Sequence, residues 1–378
     1  MTSSDRGFLP AACCQLLSVA RHLPHREGVR LFLAYCDVDD GDLAEVRHFF
    51  ARSGIDVELV DMQPIAERIE PVKARRWPRA AYLRLHFDSL FGSEHDRLVY
   101  FDADTRVLAS LEPLIDADLR GQPVGAVHDF IYYVTGHIHR RRRDLYLAQD
   151  GPYLQSGVMV FDWPATLATD ILGRARQFLK DHPDRCREAP DQDALNAALK
   201  DHWTPLDPRW NLHQLYLQFG GRLTPYVEHY TSTKPWARDR PPAWRDAADW
   251  YRRELSGTAW ADFIPPQGLG DRVSARVAFW RLRYLPHLLE ALDRVAPSLR
   301  RLVRRIRRGR AAVFDDGGLP WVPRDRRVVE DMATALIAEA QNHDVPLRPP
   351  EAVVGERAWH TSTPNPRTSR GERRSEPI

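Results

Sequence analysis

The chain is poor in lysine, in cysteine and in uninterrupted apolar sequence, and each shortage removes a class of function. Among 378 residues only Lys73, Lys180, Lys200 and Lys234 are lysines, so the positive charge is almost wholly arginine. With a formal net charge of +2 the chain as a whole is no polycation, and its arginine content says little about partners. Cys13, Cys14, Cys36 and Cys186 have neither a metal-ligand spacing nor the pattern of a disulfide framework, which fits a reducing compartment. No run of about 18 uncharged apolar residues occurs, so a membrane-spanning helix is not expected. The opening Met-Thr-Ser-Ser-Asp-Arg-Gly lacks the marks of a secretory signal. A cytoplasmic globular protein of roughly one large or two modest domains is the expectation.

What is present is a strand that ends on two acids. Residues 97–105 read Arg-Leu-Val-Tyr-Phe-Asp-Ala-Asp-Thr. Leu98, Val99, Tyr100 and Phe101 suit a strand buried on both faces inside a mainly parallel sheet. Such sheets keep their chemistry at the carboxyl ends of strands. Asp102 and Asp104, with only Ala103 between them, offer hard oxygen ligands for magnesium or manganese, and through the metal for a diphosphate. Asp-x-Asp alone is weak, because the chain contains it several times. Asp37 and Asp39 precede Leu43-Ala-Glu-Val and read as helix capping. Asp116 and Asp118 read as a surface turn or short helix. Asp191 and Asp193 open a helical stretch whose dipole acids would favour.

The surrounding pattern alternates strand and helix, as an α/β sandwich requires. Helices are expected at residues 11–21, 43–52, 80–91, 165–180 and 192–200, and strands at 29–35, 57–61, 98–101, 124–128 and 153–161. After Pro241 and Pro242 the character changes: Trp244, Trp250 and Tyr251 are scattered, Pro265 and Pro266 mark a linker, and 271–310 is a broken helical tract. Its last part surrounds Leu302, Val303 and Ile306 with Arg300, Arg301, Arg304, Arg305, Arg307, Arg308 and Arg310. Such a helix suits either an anionic membrane surface or a solvated, salt-bridged face. The expected division is 1–240 as a catalytic domain, 241–345 as a helical C-terminal region and 346–378 as a disordered tail rich in Pro, Ser, Thr, Arg and Glu.

Five more segments accompany the acid pair: Ala81-Tyr-Leu-Arg84, Tyr153-Leu-Gln-Ser-Gly-Val-Met-Val160, Pro190-Asp-Gln-Asp-Ala-Leu-Asn196, Leu206-Asp-Pro-Arg-Trp-Asn211 and His229-Tyr-Thr-Ser-Thr-Lys-Pro-Trp236. In that order, over roughly residues 5–236, they resemble glycosyltransferase family 8, the retaining enzymes of GT-A fold. The resemblance implies a Rossmann-like nucleotide-sugar-binding sandwich and transfer of glucose or galactose from a UDP-sugar. It implies a manganese ion, or magnesium, on Asp102, Asp104 and His229. Lys234 would neutralise charge on the departing UDP. Arg84, Gln155, Ser156 and Asn211 would lie about the donor, Asp5 would read the base, Asp191 would bind sugar hydroxyls, and Gln192 would sit on the β-face of the anomeric carbon. An amide is a poor nucleophile, so same-face attack by the acceptor is favoured over a covalent double displacement.

The chain departs from the family pattern at three places. Gln155 stands where Asn is usual, Ser232 replaces a Gly in a closing loop one residue shorter, and only Met1 to Ser4 precede Asp5, so either a stunted first strand or a start further upstream is expected. A glycan or lipid-linked cell-envelope acceptor is expected, met by the loop from Tyr132 to Gln149 and by the C-terminal region, with residues 298–310 on an anionic membrane surface. The other class of reading is a catalytically silent scaffold that binds a nucleotide-sugar or lipid. A nucleic-acid surface built from Arg140 to Arg143 and the Arg300 to Arg310 helix is a third and less favoured one.

Overall fold

The computed structural model describes residues 1–23, 28–70, 77–135, 138–213, 216, 223–231, 233–278, 280 and 331–338. The expected basic helix at 298–310, the tail at 346–378 and Ser232 lie outside the described residues.

Three strands, β1 (Thr2–Ser4), β2 (Phe32–Tyr35) and β3 (Glu58–Asp61), form a parallel set in the order β1-β2-β3. Four more, β4 (Arg97–Phe101), β6 (Val124–His128), β7 (Leu154–Asp162) and β8 (Thr204–Pro205), lie in the order β4-β7-β6-β8. Met1 joins the two sets, its amino group donating to the Val99 carbonyl at 2.7 Å and its carbonyl accepting from the Phe101 amide at 3.0 Å, the parallel pattern. Only β7 runs against the rest, being antiparallel to both neighbours. The expected strand at 98–101 therefore stands beside a reversed strand, within a sheet that is otherwise parallel. A smaller sheet of β5 (Thr105–Val107), β10 (Val227–His229) and β9 (Leu212–His213) stands beside the carboxyl end of β4.

The helices cover the sheet for legible reasons. In α1 (Leu9–His22) Pro10 sits in the first turn, and Leu9 through Ala20 are all buried, as a helix apolar all round should be. In α2 (Asp40–Ser53) Asp39 and Asp42 form a reciprocal capping box, Gly54 ends the helix at φ 66°, and Leu43, Val46, Phe49 and Phe50 form its inner stripe. The capping reading of Asp39 is thus borne out. Short helices α3 (Gln63–Ala66), α4 (Glu112–Ile115), α5 (Phe130–Thr135) and α6 (Ile138–Asp144) follow. The segment expected as a loop from Tyr132 is therefore largely helical. The single helix expected at 165–180 is two, α7 (Trp163–Ala168) and α8 (Ile171–Asp181), because Asp170 takes φ 47° and breaks it. Residues 79–89 are a run of 3-10 turns rather than the α-helix their composition suggests, and they bury Tyr82, Leu83, Arg84, Leu85 and Phe87. Helix α9 (Pro190–Leu199) is buried along its whole length.

The aromatics after residue 240 are not scattered in space. In α10 (Arg245–Leu255) Trp250 and Tyr251 join Trp244 in a core shared with α1 and α2. Tyr251 packs at 5.1 Å from Trp236 and Trp244 at 5.1 Å from Tyr230, ring centre to ring centre. The Trp244 indole donates to the Thr233 carbonyl at 2.8 Å. This helix therefore holds the segment that carries Lys234. Among the described residues no helix is long and apolar enough to cross a membrane.

Candidate active site

β4 delivers Asp102 to the carboxyl edge of the sheet, and the amide of Asp102 donates to the Gly157 carbonyl of β7 at 2.7 Å. β10 lies antiparallel to β5 with His229 opposite Thr105, which sets the imidazole beside the acid pair. His229 Nε2 is 3.3 Å from Asp104 Oδ1 and 3.6 Å from Asp102 Oδ2. One ligand atom from each of the three residues lies within 4.8 Å of the other two.

The remaining atoms of these groups are already engaged, and that decides which ones face the centre. Asp102 Oδ1 accepts from Arg84 at 2.5 Å and from the Tyr100 hydroxyl at 2.9 Å, which leaves Oδ2. Asn211 donates its amide to Gln155 Oε1, so its own oxygen accepts from His229 Nδ1 at 2.8 Å. That holds a proton on Nδ1 and turns Nε2 to the acids, where it pairs with them when protonated and offers a lone pair to a metal when not. Two carboxylates and an imidazole suit a divalent ion such as manganese, so the donor set fits the expected metal.

Gly157 is the residue that lets β7 come this close. A Cβ there would stand 2.3 Å from His229 Cε1 and 2.8 Å from Asp102 Oδ2. Its amide donates to Gln155 Oε1 at 2.6 Å.

Cations surround the acids. Lys234 donates to Asp104 Oδ2 and to the Tyr230 carbonyl. Burial alone would raise the Asp104 pKa, but Lys234 and His229 outweigh it and hold the carboxyl well below the usual range. Arg84 is 5% exposed and bridges Asp102 and Asp191, the latter at 3.1 Å, while it lies over the Tyr100 ring. Burial would weaken its hold on the proton, yet Asp102, Tyr100 and Asp191 push its pKa above the ordinary arginine value. Asp191 itself is raised, by burial first, with Arg84 pulling the other way.

On the far side of β7 the cluster is built on an amide and on acids that burial makes weaker. Gln192 Oε1 accepts from the Ser156 amide at 3.0 Å, and its Nε2 donates to Asp129 Oδ2 at 2.9 Å and to the Tyr153 hydroxyl at 3.1 Å. Burial pushes both Asp129 and Asp193 up to about 6. Asp5 ends β1, accepts from the Phe8 amide at 3.2 Å and caps a turn leading into α1, with its pKa raised by burial.

Against this geometry, the sequence profile described as Glycosyl transferase family 8 matches residues 1–240. The chain belongs to glycosyltransferase family 8. It is 26% identical over 262 residues to general stress protein A of Bacillus subtilis (strain 168), an alignment spanning 65% of this chain and 88% of that one. It is 25% identical over 248 residues to lipopolysaccharide 1,3-galactosyltransferase of Salmonella typhimurium (strain LT2), covering 61% and 71%. A crystal structure of the galactosyltransferase LgtC in complex with donor and acceptor sugar analogs matches with a TM-score of 0.59 at 22% identity, over 70% of this chain and 99% of that chain. The shared fold is GT-A.

Within this family 8 chain the acid pair, His229, Arg84, Lys234, Asn211, Gln155, Ser156, Asp191 and Gln192 converge along the carboxyl edge around β7. Gln155, the departure from Asn, spends its oxygen on Gly157 and Asn211 and so lies behind His229. The sequence pattern does not mark Asp129, Tyr153, Asp193 or Arg141 as site residues. Asp129 satisfies the same criterion as Asp102, an acid at the end of a buried strand. Arg141, expected in a basic surface patch, is 2% exposed and paired to Asp193.

Proposed function

We propose that the protein is a retaining, metal-dependent hexosyltransferase that moves glucose or galactose from a UDP-sugar to a glycan or lipid-linked envelope acceptor. The observation that carries this reading is the donor set itself: Asp102 Oδ2, Asp104 Oδ1 and His229 Nε2 facing one another with every competing atom tied back. The names of relatives support the acceptor class, two being lipopolysaccharide glucosyl- and galactosyltransferases of Escherichia coli K12 and Salmonella typhimurium. We assign 1–240 as the catalytic unit, with 241–345 as a helical extension.

A bound manganese or magnesium ion would supply Lewis-acid charge to the departing diphosphate. Lys234 and Arg84, each resting on an acid, supply further positive charge beside the leaving group. Asp191 binds sugar hydroxyls. Gln192, whose amide is held by hydrogen bonds at both ends, stabilises the electron-poor anomeric carbon by its dipole rather than by a bond. The acceptor hydroxyl attacks from the face the diphosphate leaves and yields its proton to a diphosphate oxygen. A glycosyl adduct trapped on Gln192 or Asp191 would rule out this same-face route. In the cytoplasm, residues 298–310 would bring the enzyme to the anionic inner face of the membrane.

The test is release of UDP from a panel of UDP-sugars with and without manganese. Metal-dependent release from one donor, reduced at least about 100-fold by Asp102→Asn, is expected. Release that survives Asp102→Asn would overturn the metal assignment. Thermal stabilisation by UDP with manganese but no release would leave the silent scaffold in its nucleotide-sugar-binding form, and absence of both would leave the lipid-binding one.

A further inference from the structure

The Gln192 amide needs a fixed sense if its dipole is to face an anomeric carbon, and the residues that fix it lie away from the metal. We infer that Tyr153, aimed by the buried ion pair of Arg141 and Asp193, is a positioning residue for Gln192. The inference rests on the transfer reading above.

Asp193 is 0% exposed, and Arg141 Nη1 reaches both of its oxygens, at 3.0 and 2.9 Å. The Tyr153 hydroxyl donates to Asp193 Oδ1 at 2.7 Å. With its one proton committed, the phenol oxygen can only accept, and what it accepts is the Gln192 Nε2 proton. The second proton on Nε2 goes to Asp129 Oδ2, and the Ser156 amide holds Oε1. A reversed amide would set its oxygen against the Asp129 carboxylate and its NH2 against the Ser156 N–H, so all three contacts would fail together. Burial, then Asp193, pushes the Tyr153 pKa far above its ordinary value and keeps the hydroxyl protonated.

A buried ion pair is a weak source of stability and is better understood here as specifying an orientation. Arg141 belongs to α6, whereas Gln192 is in α9 and Tyr153 immediately precedes β7, so the relay ties three separate segments to one amide. Tyr153 also packs edge-to-face on Tyr132 of α5 at 5.0 Å. The helices expected to meet the acceptor are thereby linked to the reacting face.

Tyr153→Phe keeps the ring and the ion pair and removes only the hydroxyl. In the UDP-release assay on the full chain, kcat should fall about fivefold to tenfold with the donor KM within about twofold, the loss of one hydrogen bond. In a Gln192→Ala background the same change should cost nothing further. An equal loss in both backgrounds, or no loss in the first, overturns the relay while the transfer reading stands. If Gln192→Ala leaves no measurable rate, the side-chain amide signals of Gln192 in glutamine-labelled protein decide. They should shift and exchange faster in Tyr153→Phe, and unchanged signals overturn the relay. Inactivity of the unaltered chain toward every donor defeats the transfer reading and the relay with it.

Discussion

Two aspartates stand at the ends of the two strands that flank β7, Asp102 after β4 and Asp129 after β6, and the protein treats their surroundings in opposite ways. Around Asp102 and Asp104 it gathers Arg84, Lys234 and His229, so negative charge is kept ionised and one oxygen of each acid turns to a common centre. Around Asp129 it places an amide and two backbone N–H groups, with no cation among the described residues in direct contact, and burial pushes the acid up to about 6. One cluster could hold a cation, and the other holds an amide. The residue type is the same, and the partners decide the role.

The sharpest way to break the metal side is Gly157→Ala. The added methyl would have to push aside His229 and Asp102, both packed in place, at a cost of about 1–3 kcal/mol. Manganese should raise the melting temperature of the unaltered protein, and the variant should melt lower and show none of that rise. A manganese response equal to that of the unaltered chain would mean that the three ligands are not the binding atoms. A gentler change is Asn211→Ala, which leaves the ligands but frees His229 Nδ1. Metal affinity should fall about 10–100-fold, read by calorimetry, with the fold retained. Asn211→Ala should leave Gln192 undisturbed, since Ser156, Asp129 and Tyr153 hold that amide, whereas Gly157 directly follows Ser156 in β7.

The contrast between the two sides is also the boundary of what the sequence discloses. Asp102 and Asp104 are legible because their meaning is local: a buried strand, a small spacer, and no helix to cap. Asp39 is legible for the converse reason, since its capping partner is three residues away. Arg141 and Asp193 are 52 residues apart, and neither segment alone indicates the other. Asp193, in the first turn of α9, satisfies the helix-dipole account as written, and only the fold adds a buried arginine. Arg141 sits in a run of four arginines that reads as surface, whereas the turn of α6 sends one of the four inward. Trp244 and Tyr251 looked scattered because their partners, Tyr230 and Trp236, belong to the closing segment before the two prolines.

The smallest effect, and the one that tests the amide side alone, is a slope in stability with pH. Asp129 and Asp193 have folded values of about 6 against an ordinary 3.8. A raised folded pKa means that the folded protein binds the proton more tightly than the unfolded chain. Each acid's contribution is then full below about pH 3.8 and is lost as pH rises through about 6. Asp104 runs the other way, its contribution present above the ordinary carboxylate value and lost as pH falls. Replacing Asp129 by Asn removes one of the first kind and leaves the metal cluster untouched. The offset between variant and parent carries the altered hydrogen bonds and does not depend on pH, whereas its drift does. Melting curves from pH 4 to 7 should therefore show the parent losing ground to Asp129→Asn as pH rises, with most of the change between about 4 and 6. A constant offset across that range would mean that Asp129 titrates normally, and the opposition between the two sides of β7 would then rest on geometry alone.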